Sequence, residues 1–182
     1  MHTSTTLSIK VIKAPDSKLR IKTKPVKKVT PELIKIAREM IKMTKTFKDP
    51  EGVGLASTQI GRSERLFVAK IGKNGEFVTC FNPKIIKTSP KEKVFFEGCL
   101  SIPDVYGETT RPIAVSVEYQ DETGQKVAKR LQGVSAWIFQ HEVDHLNGTL
   151  FMDHVVSQKG RVFKVAGRDQ TGSEIFEEVR LV

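Results

Sequence analysis

The segment QHEVDHLNG, residues 140–148, constrains this chain more than any other. A helix from about Ser135 to Asn147, closed by Gly148 as its C-cap, accounts for every residue in it. Phe139, Val143 and Leu146 then share one face and need a sheet to cover them, while Ile138, His141 and His145 lie on the neighbouring face. Four residues apart, the two imidazoles project side by side and can bind one cation. Glu142 is rotated by about 100° from His141, so it can flank a metal-bound water without being a ligand. The plain alternative is two ordinary helix histidines, one buried and one solvated, and short motifs do arise by chance. With only 4 histidines in the chain, two of them placed with an acid in this geometry favour the metal site.

The rest of the chain supplies the covering elements. Thr30-Pro31-Glu32 reads as a helix start, with a capping hydroxyl, proline at the first helical position and an acid after it. Leu33, Ala37, Met40 and Ile41 carry the helical period onward to about Lys48, and Asp49-Pro50-Glu51-Gly52 breaks it. Beyond that the pattern turns to strands at 66–71, 76–81 and 93–96, divided by Gly, Asn and Pro. Ile113, Val115, Val117 and Tyr119 alternate strictly, DETGQ turns the chain, and 127–132 returns. The order is helix, antiparallel strands, then the histidine helix: an α+β layout. Residues 161–167 and 173–182 could pair as a hairpin or form a tail.

Two histidines leave a third ligand to find. A metzincin pattern would place a histidine where Phe151 stands, and phenylalanine binds no metal. A thermolysin-like site wants a glutamate on a later helix; only Glu174, Glu177 and Glu178 are available, after a stretch with no clear helical pattern. His154 lies past the helix cap and reads as a surface or packing histidine. Cys99, in FEGCLSIP, follows an apolar strand and a glycine that lets another backbone approach. Its thiolate with two imidazoles would make a His₂Cys site with one position open, suited to Zn²⁺ or Fe²⁺. Cys80, inside VTCFNP, reads as a small buried hydrophobe.

Composition narrows the setting. Two cysteines are too few for a disulfide framework, no apolar run reaches the ~20 residues of a membrane span, and the first ten residues lack a secretory pattern. The expectation is a cytoplasmic protein. The net charge of +9 is concentrated in residues 1–50, which hold 13 Lys or Arg against 4 Asp or Glu, with 17 of each sign in the remainder. A basic face of this kind aids solubility or attracts a polyanion such as RNA, which would allow association with a ribosome. It carries no motif for sequence-specific nucleic acid.

Three separated motifs, GVGLASTQ (52–59), EGCLSIP (97–103) and QHEVDH (140–145), together resemble peptide deformylase. APDSKLR (14–20) and FNPKI (81–85) extend the likeness over most of residues 12–155. The resemblance implies antiparallel or mixed sheets packed around a central HExxH helix, a catalytic domain over 1–156, and an extension over 157–182. It implies Cys99, His141 and His145 as ligands of one divalent metal. Iron is the implied physiological ion, with zinc, nickel or cobalt able to replace it in a purified sample. Glu142 becomes the acid/base, and Gln59 with the Leu100 N–H the oxyanion site. The implied substrate is the N-formylmethionyl end of a nascent peptide, with release of formate, in a bacterial-type cytoplasm or an organelle. Val53, Gly54, Gly98, Val134, Trp137 and Ile138 would contact it, and Glu97, Arg111 and Asp144 could orient the site from outside. Ser57 and Trp137 depart from the usual family pattern and bear on the shape of the substrate groove. Two other readings remain open: a metal protease acting on internal peptide bonds, and a binding module with a structural metal. A structural site is normally closed by four protein ligands, and three are visible here.

Overall fold

A computed structural model describes residues 9–48 and 51–180. The predicted break at Asp49-Pro50, and the absence of a leader pattern read over residues 1–8, lie outside them.

The first helix, α1 (Pro31–Thr46), starts as its sequence requires: the Thr30 hydroxyl accepts from the Leu33 N–H at 3.3 Å. Its buried stripe is Ile36, Ala37, Met40 and Thr44. A five-stranded sheet follows in the order β1-β2-β3-β6-β7, built from Gly54–Ala56, Leu66–Lys70, Phe77–Thr88, Ala114–Gln120 and Lys126–Gln132. Every strand pairing in it is antiparallel.

Strand β2 shows why this sheet needs a helix on each face. Leu66 and Val68 join the core beneath α1, while Phe67 and Ala69 join the core that includes Phe139, Val143 and Leu146. The period of two sends alternate apolar residues to opposite sides, so the strand reads as a continuous apolar run. Those last three residues belong to α2 (Val134–Leu146), the helix expected from QHEVDH. Cys80 is fully buried in the same core, as the sequence suggested.

Helix α2 starts after Gly133, at φ 59°, and ends ahead of Gly148, at φ 78°. A Cβ on Gly148 would sit 2.4 Å from the Arg20 carbonyl oxygen. Gly148→Ala therefore meets both a left-handed backbone and a clash. The backbone term alone is about 1–2 kcal/mol, so a clear drop in the urea midpoint is expected; an unchanged midpoint would show that residues 146–149 can relax freely.

A second sheet runs β4-β5-β8-β9, over Glu92–Cys99, Ile102–Pro112, Val162–Arg168 and Glu174–Val179. It is antiparallel throughout. β8 and β9 pair as a hairpin. Its turn is closed by Asp169, whose carboxylate accepts from the Thr171 and Ser173 N–H groups at 2.8 and 3.0 Å.

The sequence reading missed one helix, α3 (Phe151–Gln158). Its N-cap is Leu150, which has no side-chain acceptor, so the usual start signal is absent. Asp153 does that work from inside the helix, accepting from the Leu150 N–H at 2.8 Å. Phe151 and Val155 anchor α3 in a small third core with Val162. Among the described residues no helix is long and apolar enough to cross a membrane.

Candidate metal centre

Cys99, His141 and His145 converge, with their ligand atoms all within 4.8 Å of one another. Two layers meet to achieve this. α2 contributes both imidazoles, and Cys99 arrives on the last residue of β4, where the pairing with β5 slips after Gly98. Cys99 Sγ lies 3.3 Å from His145 Nε2, and the two imidazole centroids are 5.0 Å apart.

The third element is the turn Ser57–Ile60, directly after β1. Gln59 is held there by its own strand: its Oε1 accepts from the Ala56 N–H at 2.8 Å. That fixes the amide orientation and turns Nε2 toward Cys99 Sγ, at 3.5 Å, and Ser101 Oγ, at 3.1 Å. The Ser101 N–H also reaches Cys99 Sγ at 3.4 Å. Residues 12–14 tie the two loops together, since the Ile12 N–H donates to the Gln59 carbonyl at 2.7 Å and the Ala14 N–H to the Ser101 carbonyl at 2.8 Å.

Glu142 is 3% exposed, and its Oε2 has no hydrogen-bond partner among the described residues. Burial pushes its carboxyl up to about 7, despite the neighbouring imidazoles that favour the ionised form. The backbone of β1 confines it: a Cβ on Gly54 would sit 2.2 Å from Glu142 Oε1. Only glycine lets strand and carboxylate approach so closely.

Burial also works against ionising Cys99, but His145 and His141 outweigh it and hold the thiol well below its usual range. His141 is raised well above the ordinary imidazole value; burial opposes this, and Cys99 with Glu97 overcomes it. A thiolate is the metal-binding form of cysteine. Sulfur and two imidazoles make a donor set that fits a divalent cation, and among the described residues the buried His145 Nδ1 has no hydrogen-bond partner.

Behind the donors lies a buried charge network. Glu97, fully buried, accepts from His141 Nδ1 at 2.8 Å, from the Thr109 hydroxyl, and from Arg111 in a two-pronged pair. Arg111 Nη1 reaches Asp144 Oδ2 at 2.8 Å, and Asp144 also meets His154 Nε2 at 2.9 Å. Burial alone would raise Glu97; His141 and Arg111 reverse that and leave it well below the carboxylate range. His154, read as a surface or packing histidine, belongs to this network, carried there by the unforeseen α3.

A cavity of about 190 Å³ opens beside these groups. It is lined by Val53, Gly54, Gly98, Leu100, Trp137 and Ile138, together with Gln59, Cys99, His141 and Glu142. Val134, proposed as a pocket residue, is not brought in: it is the first residue of α2 and 61% exposed. Phe96 and Tyr106, which sequence reasoning did not single out, line the cavity as well. Their signal lies in the β4–β5 register, which pairs Gly98 with Tyr106. Glu174, Glu177 and Glu178 sit on β9 and are outside the donor cluster.

Comparison with known proteins places this geometry. The polypeptide deformylase family matches residues 8–161. A peptide deformylase of Rhizobium meliloti is 41% identical over 148 residues, covering 80% of this chain and 83% of that protein. One from Rhodopseudomonas palustris is 43% identical over 150 residues, covering 80% and 82%. Among solved structures, the peptide deformylase of Thermotoga maritima superposes with a TM-score of 0.74 at 39% identity, over 80% of this chain and 96% of that one. A plant peptide deformylase gives 0.77 at 35% identity, over 84% and 83%. With its α+β layout and its Cys/His/His cluster, the chain belongs to the polypeptide deformylase family.

Proposed function

We propose that this chain removes the formyl group from the N-terminal methionine of nascent polypeptides and releases formate. The observation that carries the reading is a buried carboxyl, Glu142, whose Oε2 is unpartnered among the described residues, beside the Cys/His/His donor set in an open cavity. Cys99, His141 and His145 would hold one divalent metal, iron by the family likeness. When bound, such an ion acts as a Lewis acid and brings the pKa of coordinated water to about 7.

The chain's own groups do the rest. Glu142 takes the proton of the attacking water and later delivers it to the departing amine, a task suited to a carboxyl with a pKa of about 7. The Gln59 amide, already oriented by Ala56, donates to the oxygen on which charge collects, and the Leu100 N–H supplies a second donor. Loss of one such donor typically costs about 10²–10³ in rate. The peptide lies extended along Gly52 to Leu55 as an added strand. Its methionine side chain fits among Val53, Trp137 and Ile138. Glu97 fixes the His141 ring through Nδ1 and leaves the other nitrogen for the ion.

The test is formate release from formyl-Met-Ala-Ser by anaerobically prepared, Fe²⁺-loaded protein, beside metal analysis of Cys99→Ala. Release by the parent, with the variant folded but emptied of metal, is the expected result. Cleavage of blocked peptides that lack a formyl group would favour the protease reading instead. A variant that keeps its full metal content would take Cys99 out of the donor set.

A further inference from the structure

The hairpin β8–β9 lies beyond the residues that match the family, yet it packs on two rings that line the cavity. Phe96 and Tyr106 stack almost flat, with centroids 5.2 Å apart and an interplanar angle of 4°. Both rings receive the edge of Phe176, at 5.1 Å and 5.0 Å, and Phe96 also meets Phe163 at 5.3 Å. The Tyr106 hydroxyl donates to Glu174 Oε2 at 3.2 Å. Three hairpin residues therefore grip two rings that line the cavity, while lying outside its lining themselves.

The grip has a consequence close to the donor set. The Tyr106 ring covers Gly98 so tightly that a Cβ there would sit 2.6 Å from the ring, and Gly98 directly precedes Cys99. Phe96 remains 42% exposed, so the wall offers an aromatic face at the mouth of the cavity, where an apolar side chain would lose water. A peptide laid along Gly52 to Leu55 has this wall on the same cavity.

We infer that the β8–β9 hairpin is a specificity element: Phe176 and Glu174 position Tyr106 and Phe96 as an aromatic wall that favours peptides with apolar residues after the formyl-methionine. The inference rests on the deformylase reading above. Phe176 is a positioning residue, acting only through the two rings it touches.

The experiment compares kcat and KM for formyl-Met-Leu-Phe and formyl-Met-Gly-Gly, using the metal-loaded full chain, Phe176→Ala and Phe176→Tyr. In Phe176→Ala, kcat/KM on the apolar peptide is expected to fall about three- to tenfold, through KM, with the glycine peptide unchanged within about twofold. Phe176→Tyr, which keeps the ring, restores the preference. An unchanged rate on the glycine peptide also shows that the variant is folded. An equal loss on both peptides would make the hairpin merely structural and overturn the proposal, as would no change on either. If the parent releases formate from neither peptide, the deformylase reading itself has failed, and the specificity element falls with it.

Discussion

Glu142→Gln lowers kcat for formate release by about 10²–10⁴ while the metal content stays at the parent level. Glutamine preserves the shape of the side chain, so the close approach of Gly54 is undisturbed. What it loses is the ability to carry a proton between water and the departing amine. Retained metal would separate this loss from damage to the donor set, and a variant with full activity would remove Glu142 from the chemistry. The same substitution has a stability signature in the metal-free protein. The folded pKa of Glu142, about 7, lies above the ordinary value of 4.5, so the native state holds its proton more tightly than the unfolded chain. That contribution is complete below 4.5 and disappears as pH rises through about 7. Between roughly pH 5 and pH 8 the parent should therefore lose stability relative to Glu142→Gln. Parallel profiles would show that the carboxyl is better solvated than its surroundings indicate.

Arg111→Ala is expected to destabilise the fold by about 3–5 kcal/mol, because it takes the guanidinium from the buried Glu97 and part-buried Asp144 carboxylates and leaves each with a single imidazole as its charged neighbour. Glu97 is fully buried and Arg111 is 5% exposed, so water cannot replace the lost partner. Asp144 loses the same guanidinium and keeps only His154. Arg111→Lys should recover part of the loss, since one ammonium cannot reproduce a planar fork that bonds Glu97 twice and Asp144 once. The effect should also reach the metal. Glu97 orients His141, and disturbing such an outer partner typically costs about 10–100-fold in affinity. Urea unfolding of the metal-free variants gives the first number and competition with a chelator the second. A loss below about 1 kcal/mol would mean that the Thr109 hydroxyl and His141 suffice to hold the Glu97 carboxylate.

What could be read in advance was whatever a local pattern encodes. The α1 start, the α2 span and the alternating β6–β7 pair follow from caps and periods within a dozen residues. The donor set was partly local, through the spacing of His141 and His145. Cys99 was reached by elimination and then supported by the likeness to a family, because no local rule brings a cysteine 42 residues upstream of His141 to its side. α3 was lost because its cap is an aspartate inside the helix instead of an acceptor before it. With α3 unread, the sequence could not name the partner of His154, Asp144, which α3 brings within reach. The aromatic wall was illegible for a different reason: its four rings come from β4, β5, β8 and β9, and only sheet register brings them together. Val134 was drawn toward the pocket by likeness, but α2 begins there and leaves it facing solvent.

The donor set spans two separately hydrogen-bonded sheets, with Cys99 at the end of the second and both imidazoles on the helix packed against the first. An ion held there is a cross-link as well as a reagent. It closes a loop between distant points of the chain, and its binding free energy adds to that of folding. Resistance to heat would then rise with free metal concentration, by mass action. Stripping the ion should first loosen the seam between the sheets, leaving each hairpin intact and the enzyme open to proteolysis along β4 and its neighbouring loops.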